Sequence, residues 1–353
     1  MGTSKKFAPY GITIDGDDQY ELGVELTLHR IETSYTGKAL LSAIKSTSKS
    51  IHIIPFVPSE KDKCNAYATP MDAIAATPSN QYELEYDRKT EQYTFRPETE
   101  SSPLRWLLGL PQDPVKGTGV GCDATLYFTP SMWGYGVKGN CAQYAGAPGT
   151  SPSLVLFHEL SHAYRAARGT FYPRPTIGTS TSYNNMEEFF AVVLSNVLAT
   201  DPTFETANRM PRADHTGFQP LAAGLSTSKG FVASTPNRNM MKELAKSEPD
   251  LFKALRGSKS SFNPFAEPLE AEPAEAGMKT IVVAAGDSLS TLAAKYYGTE
   301  EYWTLLWDAN LKNVGPNPNR IAPGMQLRVP PLAAFTPAHL AEAKRRFPTW
   351  KNY

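Results

Sequence analysis

Apolar positions along the chain follow two periods, and the changes between them mark the elements. Gly11-Ile12-Thr13-Ile14 is a short strand, and Tyr20, Val24, Leu28 and Ile31 then fall at helical spacing. Gly37 interrupts, and Leu40, Leu41 and Ile44 continue as a second helix. Ile51–Val57 is an apolar run broken by Pro55 and closed by Pro58, which predicts an edge strand. Gln81–Tyr86 and Gln92–Arg96 alternate polar and apolar residues around Asp87–Thr90, the pattern of a hairpin, and Ala124–Phe128 is a further strand that ends before Pro130. Ser151-Pro152 opens a helix: the hydroxyl can cap an orphan N–H and proline suits the first helical position. That helix carries Leu156, Leu160, Ala163, Tyr164 and Ala167 on one stripe and stops at Gly169. Another follows from about Asn185 to Leu198, with Met186, Phe190, Val193 and Val197 on its stripe. Mixed strands first and helices afterwards predict an α+β fold.

The first of these late helices contains His158-Glu159-Leu160-Ser161-His162, an HExxH motif. Two histidines four apart share one helix face, so both imidazoles can reach one ion, and Glu159 beside them can take a proton from water. From the composition, about 0.006 such matches are expected by chance, so the motif is read as chemistry. A catalytic Zn2+ takes three protein ligands and keeps one position open. A third histidine is absent where the longer HExxHxxGxxH pattern would put it, because Arg165 and Arg168 stand at its Gly and His positions. The third ligand is therefore expected from Glu187 or Glu188. Glu188 is preferred because it shares a face with the small residues Ala191, Ser195 and Ala199, which let another helix approach; Glu187 is left as a supporting carboxylate. Tyr183, Arg209, Arg212 and His215 flank this segment as candidate donors to a transition-state oxyanion. Gly121–Pro130 is the candidate edge strand for pairing with an extended substrate.

Composition narrows the classes. The 353 residues carry 35 Lys+Arg and 35 Asp+Glu, a net charge of zero. Binding to nucleic acid through phosphates calls for a basic excess, so nucleic acid is not an expected partner. No apolar run is long enough to span a membrane, and the start Met1-Gly2-Thr3-Ser4-Lys5-Lys6 leads into no apolar h-region of a signal peptide. Three cysteines, Cys64, Cys122 and Cys141, are odd in number and show no CxxC spacing. Neither a disulfide framework nor a thiolate zinc site is expected, and synthesis in a reducing cytoplasm is. Residues 264–277 hold proline and glutamate with almost no apolar material and read as a linker. It divides residues 1–263 from a small unit at 278–332 and a helical appendage at 333–353, where Lys344, Arg345 and Arg346 suit the end of a last helix.

With these motifs in view, the first part resembles the NleD-like effector-type zinc metallopeptidases of bacteria. The features are Ile12-Thr-Ile-Asp-Gly16, Thr36-Gly37 between two helices, the strand and proline before the active site, and His158-Glu-Leu-Ser-His-Ala-Tyr-Arg165. Glu187-Glu-Phe-Phe-Ala191 is similar to the ligand segment of toxin gluzincins, in which the glutamate directly before the aromatic binds zinc; this implies Glu188. The resemblance implies a zincin-like fold, one Zn2+ per chain, a peptide or protein substrate, and export by a specialised secretion or contractile injection system. Thr280–Gly298, Trp303–Asn310 and Asn319–Pro330 resemble a LysM module, which implies a βααβ fold. It also implies a groove for N-acetylglucosamine glycans such as peptidoglycan, formed by Gly286, Asp287, Ser288 and Leu289 with Arg320 and Ile321. Docking to a secretion spike or baseplate is the alternative use of such a module, and Tyr302, Trp303 and Trp307 are expected in its core. Three functions follow: an effector peptidase acting on a target-cell protein, a LysM-anchored peptidase of the cell wall, and a non-enzymatic baseplate-associated protein.

Overall fold

The computed structural model describes residues 4–81, 84–87, 92–95, 115–134, 136–137, 139, 141–173, 183, 185–204, 209–214, 217–269, 279–315, 317–332, 335 and 337–348. Its larger unit is built on a five-stranded sheet. The strands are β1 (Ser4–Phe7), β2 (Ile12–Asp15), β3 (Ile51–Ile54), β4 (Tyr67–Pro70) and, after a separate hairpin of β5 (Leu84–Asp87) and β6 (Gln92–Phe95), β7 (Ala124–Tyr127). The order across the sheet is β1-β2-β3-β7-β4; β2, β3 and β7 run parallel, and β1 and β4 close the two edges antiparallel. Ile12, Ile14, Ile51, Ile53, Ala124 and Leu126 alternate onto the buried face.

Two helices, α1 (Asp18–Thr33) and α2 (Tyr35–Ser46), connect β2 to β3. Val24, Leu28 and Ile31 are buried along α1, as the spacing predicts. The break between the helices is at Ser34, not Gly37: Ser34 Oγ accepts from Gly37 N at 2.8 Å and caps α2. Gly37 lies in the first turn instead, where a Cβ would come within 1.9 Å of Ile31 O. Two strand expectations are also corrected. Ile51–Ile54 is the middle strand, because Pro55 lies just beyond the last paired residue and costs the ladder nothing. Ala124–Tyr127 is covered on its outer side by β4, so the edge of the sheet on that side is Tyr67–Pro70.

After the one-turn α3 (Ala73–Ala76), the helix α4 (Pro152–Arg168) begins at Ser151, whose hydroxyl accepts from Leu154 N, and ends at Gly169 with φ 75°. A Cβ on Gly169 would lie 2.2 Å from Gly119 O, so only glycine lets that loop close over the helix end. Next comes α5 (Met186–Ala199), capped by Asn185, and then α6 (Ser228–Ala233), α7 (Thr235–Ser247) and α8 (Pro249–Leu255). Their Phe231, Met241, Leu244, Leu251 and Leu255 join one core with the sheet and α4. Phe262 and Phe265 belong to the same core, so packing continues past Pro264, the expected start of the linker. Cys64 and Cys141 form a disulfide, against the expectation from cysteine number; the odd cysteine is Cys122, which is buried. Spacing in sequence cannot register a pair brought together by two loops.

The small unit has its own core. Strands β8 (Lys279–Val282) and β9 (Gln326–Val329) pair antiparallel around α9 (Leu289–Tyr297), α10 (Trp303–Ala309) and the short α11 (Leu311–Val314). Trp303 and Trp307 are fully buried and Tyr302 packs at the margin. The last helix, α12 (Pro337–Arg346), is fixed to this unit: Arg346 pairs with Asp308 at 2.8 Å and lies over the Trp307 ring, and Trp303 Nε1 donates to Phe347 O. Among the described residues no helix is long and apolar enough to cross a membrane.

Candidate active site

The site lies where α4 crosses α5 beside the edge strand β4. Asn185 Oδ1 accepts from Glu188 N at 2.9 Å, which starts α5 so that its first turn, with both glutamates, faces the histidines. His158 Nε2 lies 3.1 Å from Glu188 Oε2 and 3.2 Å from His162 Nε2, and His162 Nε2 lies 3.6 Å from Glu188 Oε1. Two ligands about 2.0–2.1 Å from a tetrahedral zinc stand roughly 3.3–3.4 Å apart, so this triangle of two ring nitrogens and one carboxylate, which meets His158 with Oε2 and His162 with Oε1, has the donor set and about the dimensions that an ion such as zinc would need. Glu187, next in sequence, is not in the triangle. Both its oxygens accept from Arg165 Nε, Oε1 also accepts from Tyr172 N, and Oε2 lies 4.0 Å from His162 Nδ1.

Burial sets the electrostatics. It raises the Glu159 carboxyl to about 8, and it lowers His158 together with the nearby Arg212 cation. Burial opposes charge on His162 and Glu188 as well, but their mutual attraction outweighs it: His162 is raised and Glu188 is held well below the usual carboxylate range. Burial likewise opposes the charge of Glu187, and Arg165 more than offsets it.

A cavity of about 310 Å³ opens on this cluster. Glu159, His158, His162, Glu188 and Arg212 form its polar floor, Tyr67 and Ala68 of β4 one rim, and Trp133, Val155 and Phe218 an apolar wall. Glu159 and Ala68 line the same cavity, which brings the candidate base beside the edge strand. Of the three candidate oxyanion donors among the described residues, Arg212 lines the cavity: it is buried, and its Nη2 lies 2.7 Å from His158 Nδ1. Arg209 Nη1 and Nη2 bond Asp201 O and Phe204 O, and the Tyr183 ring packs edge-on to Phe189. His215 lies outside the described residues. The sequence did not single out Tyr67, Ala68, Trp133 or Phe218; a four-residue edge strand ending in proline leaves too weak a signal.

In the small unit, the turns at Gly286–Ser288 and Asn319–Ala322 lie at the same end of the β8–β9 pair, linked by Val283 N→Met325 O and Gly324 N→Val283 O, both 2.8 Å. Gly286, Ser288, Asn319 and Arg320 are exposed there, and Asp287 Oδ2 accepts from Ala284 N. Leu289 is 3% exposed and Ile321 packs against the core, so both support the turns from behind.

Comparison with known proteins gives two family matches. Residues 8–215 match the family Peptidase_M91, described as an effector protein, and residues 281–330 match the LysM domain. No curated protein and no solved structure matches the chain.

Proposed function

The chain belongs to the Peptidase_M91 family of effector proteins, and from that premise we propose that it is a zinc-dependent metallopeptidase, exported to hydrolyse peptide bonds of a target-cell protein. The observation that carries this reading is the His158–His162–Glu188 triangle with Glu159 beside it in one cavity. When bound, zinc supplies a Lewis acid that polarises the scissile carbonyl and makes water acidic enough to deprotonate near neutral pH.

The chain's own residues do the rest. Glu159 accepts the proton of the attacking water and delivers it to the leaving amine. It lines the cavity beside Ala68, on the edge where an extended peptide backbone would add to the sheet. Arg212, buried in the floor, presents a guanidinium to the negative charge that develops on the carbonyl oxygen. Trp133, Val155 and Phe218 exclude water and receive an apolar side chain.

The LysM domain favours a second target for the same chemistry, the peptides of a cell wall to which the exposed turns would anchor the enzyme. The test uses the full chain, a mixture of unstructured peptides and purified sacculi, with mass spectrometry of new termini. Wild type should cleave peptides, a chelator should stop it and zinc restore it, and Glu159→Gln should be inactive. Release of stem peptides from sacculi would move the target to the wall. No cleavage of either substrate, or an active Glu159→Gln, defeats the reading.

A further inference from the structure

Arg165 follows His162 by one helical turn, is 3% exposed, and is shared between two carboxylates. Its Nε bonds Glu187 at 2.9 and 2.8 Å, and its Nη1 bonds Glu248 Oε1 at 2.9 Å. Glu248 is 1% exposed and stands between α7 and α8, outside the stretch that matches the peptidase family. It is held from several sides: Tyr164 OH donates to Oε2 at 2.8 Å, Thr170 Oγ1 donates to Oε1, and Arg168 Nε lies 3.5 Å from Oε2. Ser247 Oγ, next to it, accepts from the same Arg165 Nη1 at 3.3 Å.

We propose that Glu248 is a positioning residue of the metal site, acting through Arg165 and Glu187 on His162. The guanidinium is planar and rigid, so fixing its Nη1 edge fixes the direction of its Nε–H. That direction holds the Glu187 carboxylate, together with Tyr172 N, so that Oε2 lies 4.0 Å from His162 Nδ1, an ion-pair distance and not a hydrogen bond. A histidine that ligates through Nε2 is oriented by what its Nδ1 meets, and such outer partners typically contribute 10–100-fold to metal affinity. Without Glu248, Arg165 would keep its neutral acceptors Ser247 Oγ and Thr170 O but lose its second carboxylate, and the buried cation would turn to Glu187 and draw that carboxylate off the imidazole. A buried cation left with one carboxylate rather than two is also costly, so the pair is expected to shift rather than stay in place.

The inference rests on the metal reading above, so metal binding by the wild type is read first. Zn2+ affinity is measured by competition with a chelating dye, and the coordination by the visible absorption of the Co2+-substituted full chain, for wild type, Glu248→Gln, Glu187→Gln and the double variant. Circular dichroism reports folding. Glu248→Gln should bind zinc about tenfold more weakly and shift the Co2+ bands, whereas the double variant should be no weaker than Glu187→Gln, because both act through one carboxylate. A folded Glu248→Gln with wild-type affinity and spectrum, or a loss that adds to that of Glu187→Gln, overturns the proposal. Should Glu248→Gln not fold, Glu248→Asp keeps the charge but draws it back from Arg165, and the same two outcomes decide. A wild type that binds neither metal defeats the functional reading, and this inference with it.

Discussion

At the scale of single residues, Glu187 and Glu188 show how neighbours of the same type divide their work. The helix turns by 100° between them, so Glu188 faces the two Nε2 atoms and Glu187 faces Arg165. The sequence could favour Glu188 from the small residues on its face, because small residues mark where a helix is approached. It could not show Arg165 as the partner of Glu187, since that pairing depends on how α4 crosses α5. Glu188→Ala should therefore weaken Zn2+ binding more than Glu187→Ala, because the first removes a ligand and the second only an orienting contact. Isothermal titration with Zn2+ checks the order, and the reverse order transfers the ligand to Glu187. Glu159→Gln should keep zinc and fold but lose about 10²–10⁴-fold in kcat, the range for a lost general base.

At the scale of elements, the late helices were legible and part of the sheet was not. Capping residues and long apolar stripes fix α4 and α5 locally, and both match the expected bounds closely. A four-residue strand has no such redundancy. Pro55 made Ile51–Ile54 look like an edge, although its place in the sheet is set by β2 and β7 on either side. One junction between elements has a pH signature. Asp201, at the end of α5, accepts from Thr36 N and Oγ1 at 3.0 and 2.8 Å, and from Thr203 Oγ1 at 2.6 Å. Burial opposes its charge, but the bonds from Thr203 and Thr36 prevail and its pKa falls below 3.8. Its contribution is therefore present above the unfolded value and is lost as pH falls through the lower folded value. Urea unfolding from pH 3 to 7 should show Asp201→Asn less stable near neutrality, with the gap narrowing below about pH 4. Thr36→Val should cost about 1–3 kcal/mol at pH 7 by leaving a buried carboxylate short of a donor. A gap that is flat with pH would remove Asp201 as the cause.

At the scale of the molecule, the family match ends at residue 215 but the core does not. Phe231, Met241, Leu244, Leu251, Leu255, Phe262 and Phe265 are each no more than 2% exposed and pack with the sheet and α4. Burying such side chains contributes about 1.5–3 kcal/mol each, so losing all of them removes as much as or more than the roughly 5–15 kcal/mol that holds a domain folded. A fragment ending at 215 should fail to fold, whereas one ending at 269 should fold and bind zinc; circular dichroism and metal analysis of both decide. Residues 264–277 have the composition of a linker, yet Phe265 within them is core and Leu269 packs against it. All of these scales meet at the three side chains from α4 and α5. The measurement that tests them most directly is anomalous scattering at the zinc edge from crystals of the zinc-loaded protein. The account predicts one peak about 2.0–2.2 Å from Nε2 of His158, Nε2 of His162 and a carboxylate oxygen of Glu188. A peak bound by other side chains, or no peak at this cluster, would contradict it.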